Sequence, residues 1–359
     1  MINETILKEE VFMRLRNCAM MALAVAGAMM LTACGGGSGT AASQAAGGNG
    51  GASASEQTFN LKLSHGLAED HAVHIQMTAW AEAVKEKSNG TINIQILPNG
   101  QLGSEADNVS SIQAGALDMA KVSASTLGNF NEAWNALSVP YVFNDKDHYY
   151  KVMDGEIAGE LYNITEGDGF IGLTWLDSGS RSFYTANTPI RVPADLKGLK
   201  IRTMDSQIAI DMMNALGGSA TVMSYSEIYT GLQQGVIDGA ENNITALRDH
   251  SDVTKYYCYD EHTRIPDVIV ISTKVWNQMS DSQKNIMKET AAAATDEYKT
   301  RWADFENEVK TAAEGNGITF VEDVDTAAFQ EACQSIYDGL KTSNAEVYAI
   351  VEKIQAAGR

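Results

Sequence analysis

Basic residues are scarce in this chain. It carries 26 Lys and Arg against 46 Asp and Glu, a formal net charge of -20. A phosphate backbone needs a basic footprint, so nucleic acid is excluded as a partner. Cysteine is scarcer still, four in 359 residues. Cys258 and Cys333 stand alone in the folded part, which is no disulfide framework, and both are read as free thiols. Histidine is thin as well, six in all. His71 and His74, three apart beside Glu69 and Asp70, have a metal-ligand spacing, but the scatter of the other histidines argues against a metal role. No internal repeat is present, which sets aside scaffold and adhesin architectures. There is no Gly-x-Ser-x-Gly elbow either, so Asp177 and Asp238 have no nucleophile or oxyanion motif to serve. An enzyme is not indicated.

What is present is an ordinary globular composition, 44% apolar and 20% charged, with length enough for two domains. Residues 1–33 form a targeting segment. Lys8, Arg14 and Arg16 precede an apolar run, 18–33, that is too short to span a bilayer and ends in small residues. Leu31-Thr32-Ala33-Cys34 resembles a bacterial lipobox, which implies cleavage before Cys34 and a lipid on that cysteine. Residues 34–56 are nearly all Gly, Ala, Ser, Thr, Gln and Asn. Such a segment is a flexible tether with a reach of about 25 Å.

Beyond the tether the pattern alternates. Residues 59–64 read as a strand ended by His65-Gly66, and 70–88 as a helix with Val73, Met77, Trp80, Ala81 and Val84 on one face. Residues 91–96 form a period-two strand closed by Pro98-Asn99-Gly100. Ser104, with Asp107 three residues on, caps the next helix. A strand at 117–124 follows. Strand, helix, strand, helix predicts a parallel sheet covered by helices. The strand 169–176 leads into Ser178-Gly179, where a glycine gives the freedom a chain crossing between domains needs. Helices follow at 206–216 and 226–234, then an apolar strand at 268–271. Residues 275–314 are almost unbroken helix. Its main run, from about Ser282, is roughly 30 residues or ~45 Å, too long for one small domain. A strand at 318–321 and two helices, beginning at Asp325 and Asn344, finish the chain.

The stretch 180–242 carries the chemistry. It contains Ser180-Arg181-Ser182-Phe183-Tyr184, then Gly198-Leu199-Lys200-Ile201-Arg202, then Tyr225 and the run from Gln234 to Asn242. Two arginines end short apolar strands, and an amide follows the Asp238-Gly239 turn. The arginine fork fits a carboxylate with two parallel hydrogen bonds. Together with KEKSNGTINIQILPNGQLGSEAD and IQAGALDMAKVSAS, this wording resembles the substrate-binding subunit of TRAP transporters, the DctP-like family, from Phe59 to the C-terminus.

The resemblance implies an α/β, two-lobed, periplasmic-binding-protein-like fold with a hinge and a long helix crossing both lobes. Domain I would be 57–178 and 266–305, and domain II 179–265 and 306–359. It implies that Arg202 grips a ligand carboxylate, with Arg181 and Asn242 beside it and Tyr225 packed on the carbon skeleton. His262 matches the family's histidine, and Arg264 adds a cation that many members lack. From the first domain His65, Glu105, Lys121 and Ser123 fall at cleft edges. No cofactor is implied. The implied partners are a small organic acid and the small and large membrane subunits, and the implied location is outside the cytoplasm on a lipid anchor. A buried polar group left unpaired costs ~1–3 kcal/mol, so a cleft this polar calls for a hydroxyl-rich acid such as a hexuronate. A C4-dicarboxylate is the alternative.

Overall fold

The computed structural model describes residues 56–359. The leader, Cys34 and nearly all of the tether lie outside the described residues. Strands β1 (Phe59–Ser64), β2 (Ile92–Leu97), β3 (Met119–Ser123) and β4 (Phe170–Leu176) begin a first sheet. The chain then crosses to a second sheet and lays down β5 (Arg181–Thr185), β6 (Lys200–Thr203), β7 (Ser219–Val222), β8 (Gly239–Asn242) and β9 (Tyr256–Thr263). It returns for β10 (Asp267–Ser272) and crosses again to add β11 (Thr319–Val321). The strand orders are β2-β1-β3-β10-β4 and β11-β9-β5-β8-β6-β7. This is the two-lobed α/β architecture expected.

The first sheet is not purely parallel. β1 runs parallel to β2 and β3, but β10 is antiparallel to both β3 and β4. A strand that returns from the other lobe enters the sheet from the opposite end, and this reverses its direction.

Local rules set most elements. In the helix Ala72–Lys87, Val73, Met77, Trp80, Ala81 and Val84 are buried, and His71 supplies the N-cap by accepting from Val73 N. Ser104 and Asp107 close a capping box at the start of Glu105–Ala114. The long helix, Asp281–Gly315, has 35 residues and is capped by Ser280 with Gln283. It does not extend back to Val275, because Thr273–Trp276 is a separate turn of helix. Met287, Ala291, Tyr298 and Trp302 are buried in the core of the first lobe, while Val309 and Ala313 are buried in that of the second. Each large apolar side chain so buried contributes about 1.5–3 kcal/mol, so this one helix ties both cores together. No helix among the described residues is long and apolar enough to cross a membrane.

The last two helices divide their allegiance. Thr326–Ser343 buries Phe329, Cys333 and Ile336 in the second lobe. Ala345–Ala357 instead buries Val347, Val351 and Ile354 among Trp134, Leu137 and Tyr149 of the first lobe. A division that gives 306–359 whole to the second lobe therefore departs from the packing at this helix. Cys258 and Cys333 are buried and free, and burial pushes both thiols up to about 12.

Candidate functional site

Between the two sheets lies a cavity of about 680 Å³, lined at the carboxyl ends of β3, β6 and β8 and by the loop after β1. Open α/β sheets place ligands at such ends. The lobes also touch beside it. Arg248 pairs with Asp70, and Asn129 Nδ2 donates to Asp205 O at 2.8 Å.

The second lobe supplies the arginines, and they are not equivalent. Arg181 is buried on β5. Its Nε lies 2.7 Å from Glu241 Oε2, Nη1 donates to Asn242 Oδ1 at 2.7 Å, and Nη2 donates to Glu241 O at 2.8 Å. Burial works against its charge, but Glu241 holds the guanidinium above its ordinary range. Arg202 is equally buried, 4% exposed, and lines the cavity. Its one hydrogen bond among the described residues is Nε to Met223 O at 3.0 Å, and no carboxylate pairs with it. Burial, reinforced by the repulsion of Arg181 and opposed by Glu241, holds it below its ordinary range. A buried cation without its own counter-ion is costly unless something else supplies one.

The first lobe presents the opposite chemistry. Lys121 Nζ lies 2.8 Å from Glu105 Oε1 and 3.0 Å from Asp267 Oδ1. Glu105 Oε2 also accepts from Ser123 N and Thr126 Oγ1, both at 3.0 Å. Burial opposes the Lys121 charge, but the two carboxylates hold the ammonium above its ordinary range. Burial likewise raises Asp267, where Lys121 only partly offsets it. Glu105, Lys121, Ser123 and Asp267 all line the cavity.

Six further sequence expectations divide. Asn242 and Tyr225 line the cavity, and Tyr225 OH donates to Asp249 Oδ2 at 2.8 Å. His65, His262 and Arg264 are not among the lining residues. His65 is fully buried: Nδ1 accepts from Leu67 N at 3.1 Å, so Nε2 carries the proton toward His74 Nδ1 at 3.0 Å. Burial lowers it to about 3. His262 is also fully buried, with Nδ1 2.6 Å from Asp260 Oδ2 and Nε2 3.3 Å from Glu241 Oε2. Burial disfavours its charge, yet the two carboxylates raise it to about 9, so it is an internal cation behind Arg181. Glu241 falls to about 2 because Arg181 and His262 outweigh the burial that would raise it. Arg264 stands toward Glu306 at the lobe crossing. Cys34 lies outside the described residues.

Asp267, His71, Trp302 and Asn243 also line the cavity and were missed as site residues. His71 is held at about 3 by burial, and so is neutral, with its ring edge-on to Phe305 at 4.9 Å. Among the described residues no group of three His, Cys, Asp or Glu is placed to hold a metal ion.

A pair of α/β lobes facing each other across a polar cleft defines the class of two-lobed solute binders. The family model for bacterial extracellular solute-binding protein, family 7 (DctP) matches residues 63–344, and the chain belongs to that family. It is 40% identical over 280 residues to an uncharacterized protein, YiiZ, of Salmonella typhimurium, covering 77% of this chain and 85% of that one. A TRAP periplasmic solute-binding protein from Anaerococcus prevotii, solved with bound D-glucuronate, superposes with a TM-score of 0.81 at 33% identity, over 84% of this chain and 98% of that one. Another, from Sulfitobacter sp. with β-D-galacturonate, gives 0.80 at 31% identity, over 83% and 100%.

Proposed function

We propose that this chain is the extracytoplasmic solute-binding subunit of a TRAP transporter. It captures a hexuronate or related sugar acid and delivers it to the small and large membrane subunits, held at the membrane by a lipid on Cys34. One observation carries the ligand class: Arg202 is a buried guanidinium on the cavity wall with no carboxylate of its own among the described residues. A ligand carboxylate supplies the missing charge through two parallel hydrogen bonds. Across the cavity two carboxylates share one lysine, so that face offers acceptors and an excess of negative charge. Hydroxyl groups donate to such a face, whereas a second carboxylate is repelled by it. This favours a sugar acid over a C4-dicarboxylate, in line with the uronates bound by the two solved neighbours.

Thermal unfolding with glucuronate, galacturonate, an aldonate, succinate, malate and neutral hexoses tests the reading. The uronates are expected to stabilise the protein by about 2.7 kcal/mol at 100 times their dissociation constant. Stabilisation by neutral hexoses and not by acids would refute the carboxylate argument. Larger shifts with succinate and malate would replace the sugar acid with the dicarboxylate. For the anchor, Cys34→Ala is expected to move the protein from the membrane to the soluble fraction, since stable anchoring takes more than one acyl chain. Unchanged membrane association of the variant contradicts the lipid assignment.

A further inference from the structure

The crossing from β4 to β5 holds a group of charges that solute capture does not use. Asp177 is buried, accepting from Tyr150 OH at 2.5 Å and from Gly179 N at 2.9 Å. Ser178 Oγ donates to Ile265 O, which ties this crossing to the β9–β10 one. Gly179 sits at φ +64, a conformation side chains rarely adopt, and a Cβ there would collide with Glu306 Oε1 and come within 3.2 Å of Trp302 Nε1. The pivot between the lobes is therefore packed directly on the Glu306 carboxyl of the long helix.

We propose that Glu306 makes lobe opening proton-linked: its neutral carboxyl is half-buried against Gly179 in the compact arrangement, and its ionised form favours the arrangement in which the crossing lifts and more water reaches it. Several groups face it. Asp177 repels its ionised form, Arg264 and Lys146 attract it, and the Trp302 indole lies on the same side. Burial first, and Asp177 second, raise Glu306 to about 7. The tyrosines around it, Tyr150, Tyr257, Tyr259 and Tyr298, are all raised and stay protonated. His71 in the cavity titrates near 3 and His262 near 9, outside the range that matters. A carboxyl raised in the compact state favours that state below its folded value, and this preference is lost as pH rises through it. Lowering the pH from 8 to 6 therefore drives closure with uptake of a proton.

Small-angle scattering of the ligand-free protein tests this without assuming any ligand. The wild type is expected to have a larger radius of gyration at pH 8 than at pH 6. Glu306→Gln should keep the pH 6 value at both, and Asp177→Asn, which removes the repelling charge, should move the midpoint to lower pH. A second arm uses calorimetry with D-glucuronate in phosphate and in Tris. It is expected to show proton uptake on binding and affinity about tenfold tighter at pH 6 than at pH 8, both absent in Glu306→Gln. A wild type whose dimensions do not change with pH overturns the proposal, as does a change that persists in Glu306→Gln. Failure of D-glucuronate to bind would count against the sugar-acid reading and leave the scattering result to decide this one.

Discussion

Arg202→Lys is expected to bind the best acid of the panel ~2–5 kcal/mol more weakly than the wild type by isothermal calorimetry. Lysine keeps the charge but loses the planar fork, and the carboxylate is left desolvated with one point contact. The stability of the ligand-free protein should move the other way. Among the described residues Arg202 is buried with a single hydrogen bond and no carboxylate paired to it, so Arg202→Met removes a buried charge that lacks its own counter-ion. Unfolding in denaturant should then show equal or greater stability with binding abolished, the trade expected where a site holds charge ready for its ligand. Affinity near that of wild type in Arg202→Lys would mean that the ligand carboxylate does not rest on the Arg202 fork.

Lys121→Met should have the opposite signature. It leaves Asp267 buried and Glu105 partly buried without their shared cation, and breaking a buried ion network from one side costs ~3–5 kcal/mol. In a chain of this size that is a melting temperature lower by on the order of 10 °C in calorimetry. Lys87→Met is the control. Lys87 pairs with Glu289 at 2.6 Å with both side chains well exposed, and such pairs are worth less than about 1 kcal/mol. Adding Glu105→Gln to Lys121→Met should restore part of the loss. A Lys121→Met protein as stable as the control would mean that the carboxylates are solvated and the first-lobe face is not the fixed acceptor surface described above.

Periodicity made the first lobe legible. The faces of β1 and of the helix Ala72–Lys87, and the Ser104 cap, follow from residue spacing because each is settled within one element. Which strand-end polar groups turn into the cleft is a different matter. A shift of one residue turns a strand's side chains to its other face. β9 contains such a break: Arg181 pairs with Thr263, but Phe183 pairs with Cys258, so the strand bulges between them and Glu261 takes a left-handed φ of 46. His262 lies in this bulge and ends up inside the protein, between Asp260 and Glu241. No alternation pattern foretells that. Asp267 escaped notice for the converse reason. It opens an apolar strand and looks like its polar edge, and only the register of β10 against β3 sets it opposite Ser123 and within reach of Lys121. The arginine pair was legible as chemistry, since two guanidinium forks at strand ends invite an acid. That one of them is already occupied by Glu241 depends on a residue 60 positions away.

The return of β10 to the middle of the first sheet has a consequence for how the molecule comes into being. A chain made from its amino end has β3 and β4 long before the strand that belongs between them, and Ile354, which packs in the same core, comes later still. Neither lobe can be finished while the other waits, so the two cannot condense in succession like beads on a string. Pairings this distant along the chain are slow to form. The first lobe therefore stays incomplete until β10 and the helix Ala345–Ala357 have both been made, and its core closes around segments that flank the whole second lobe.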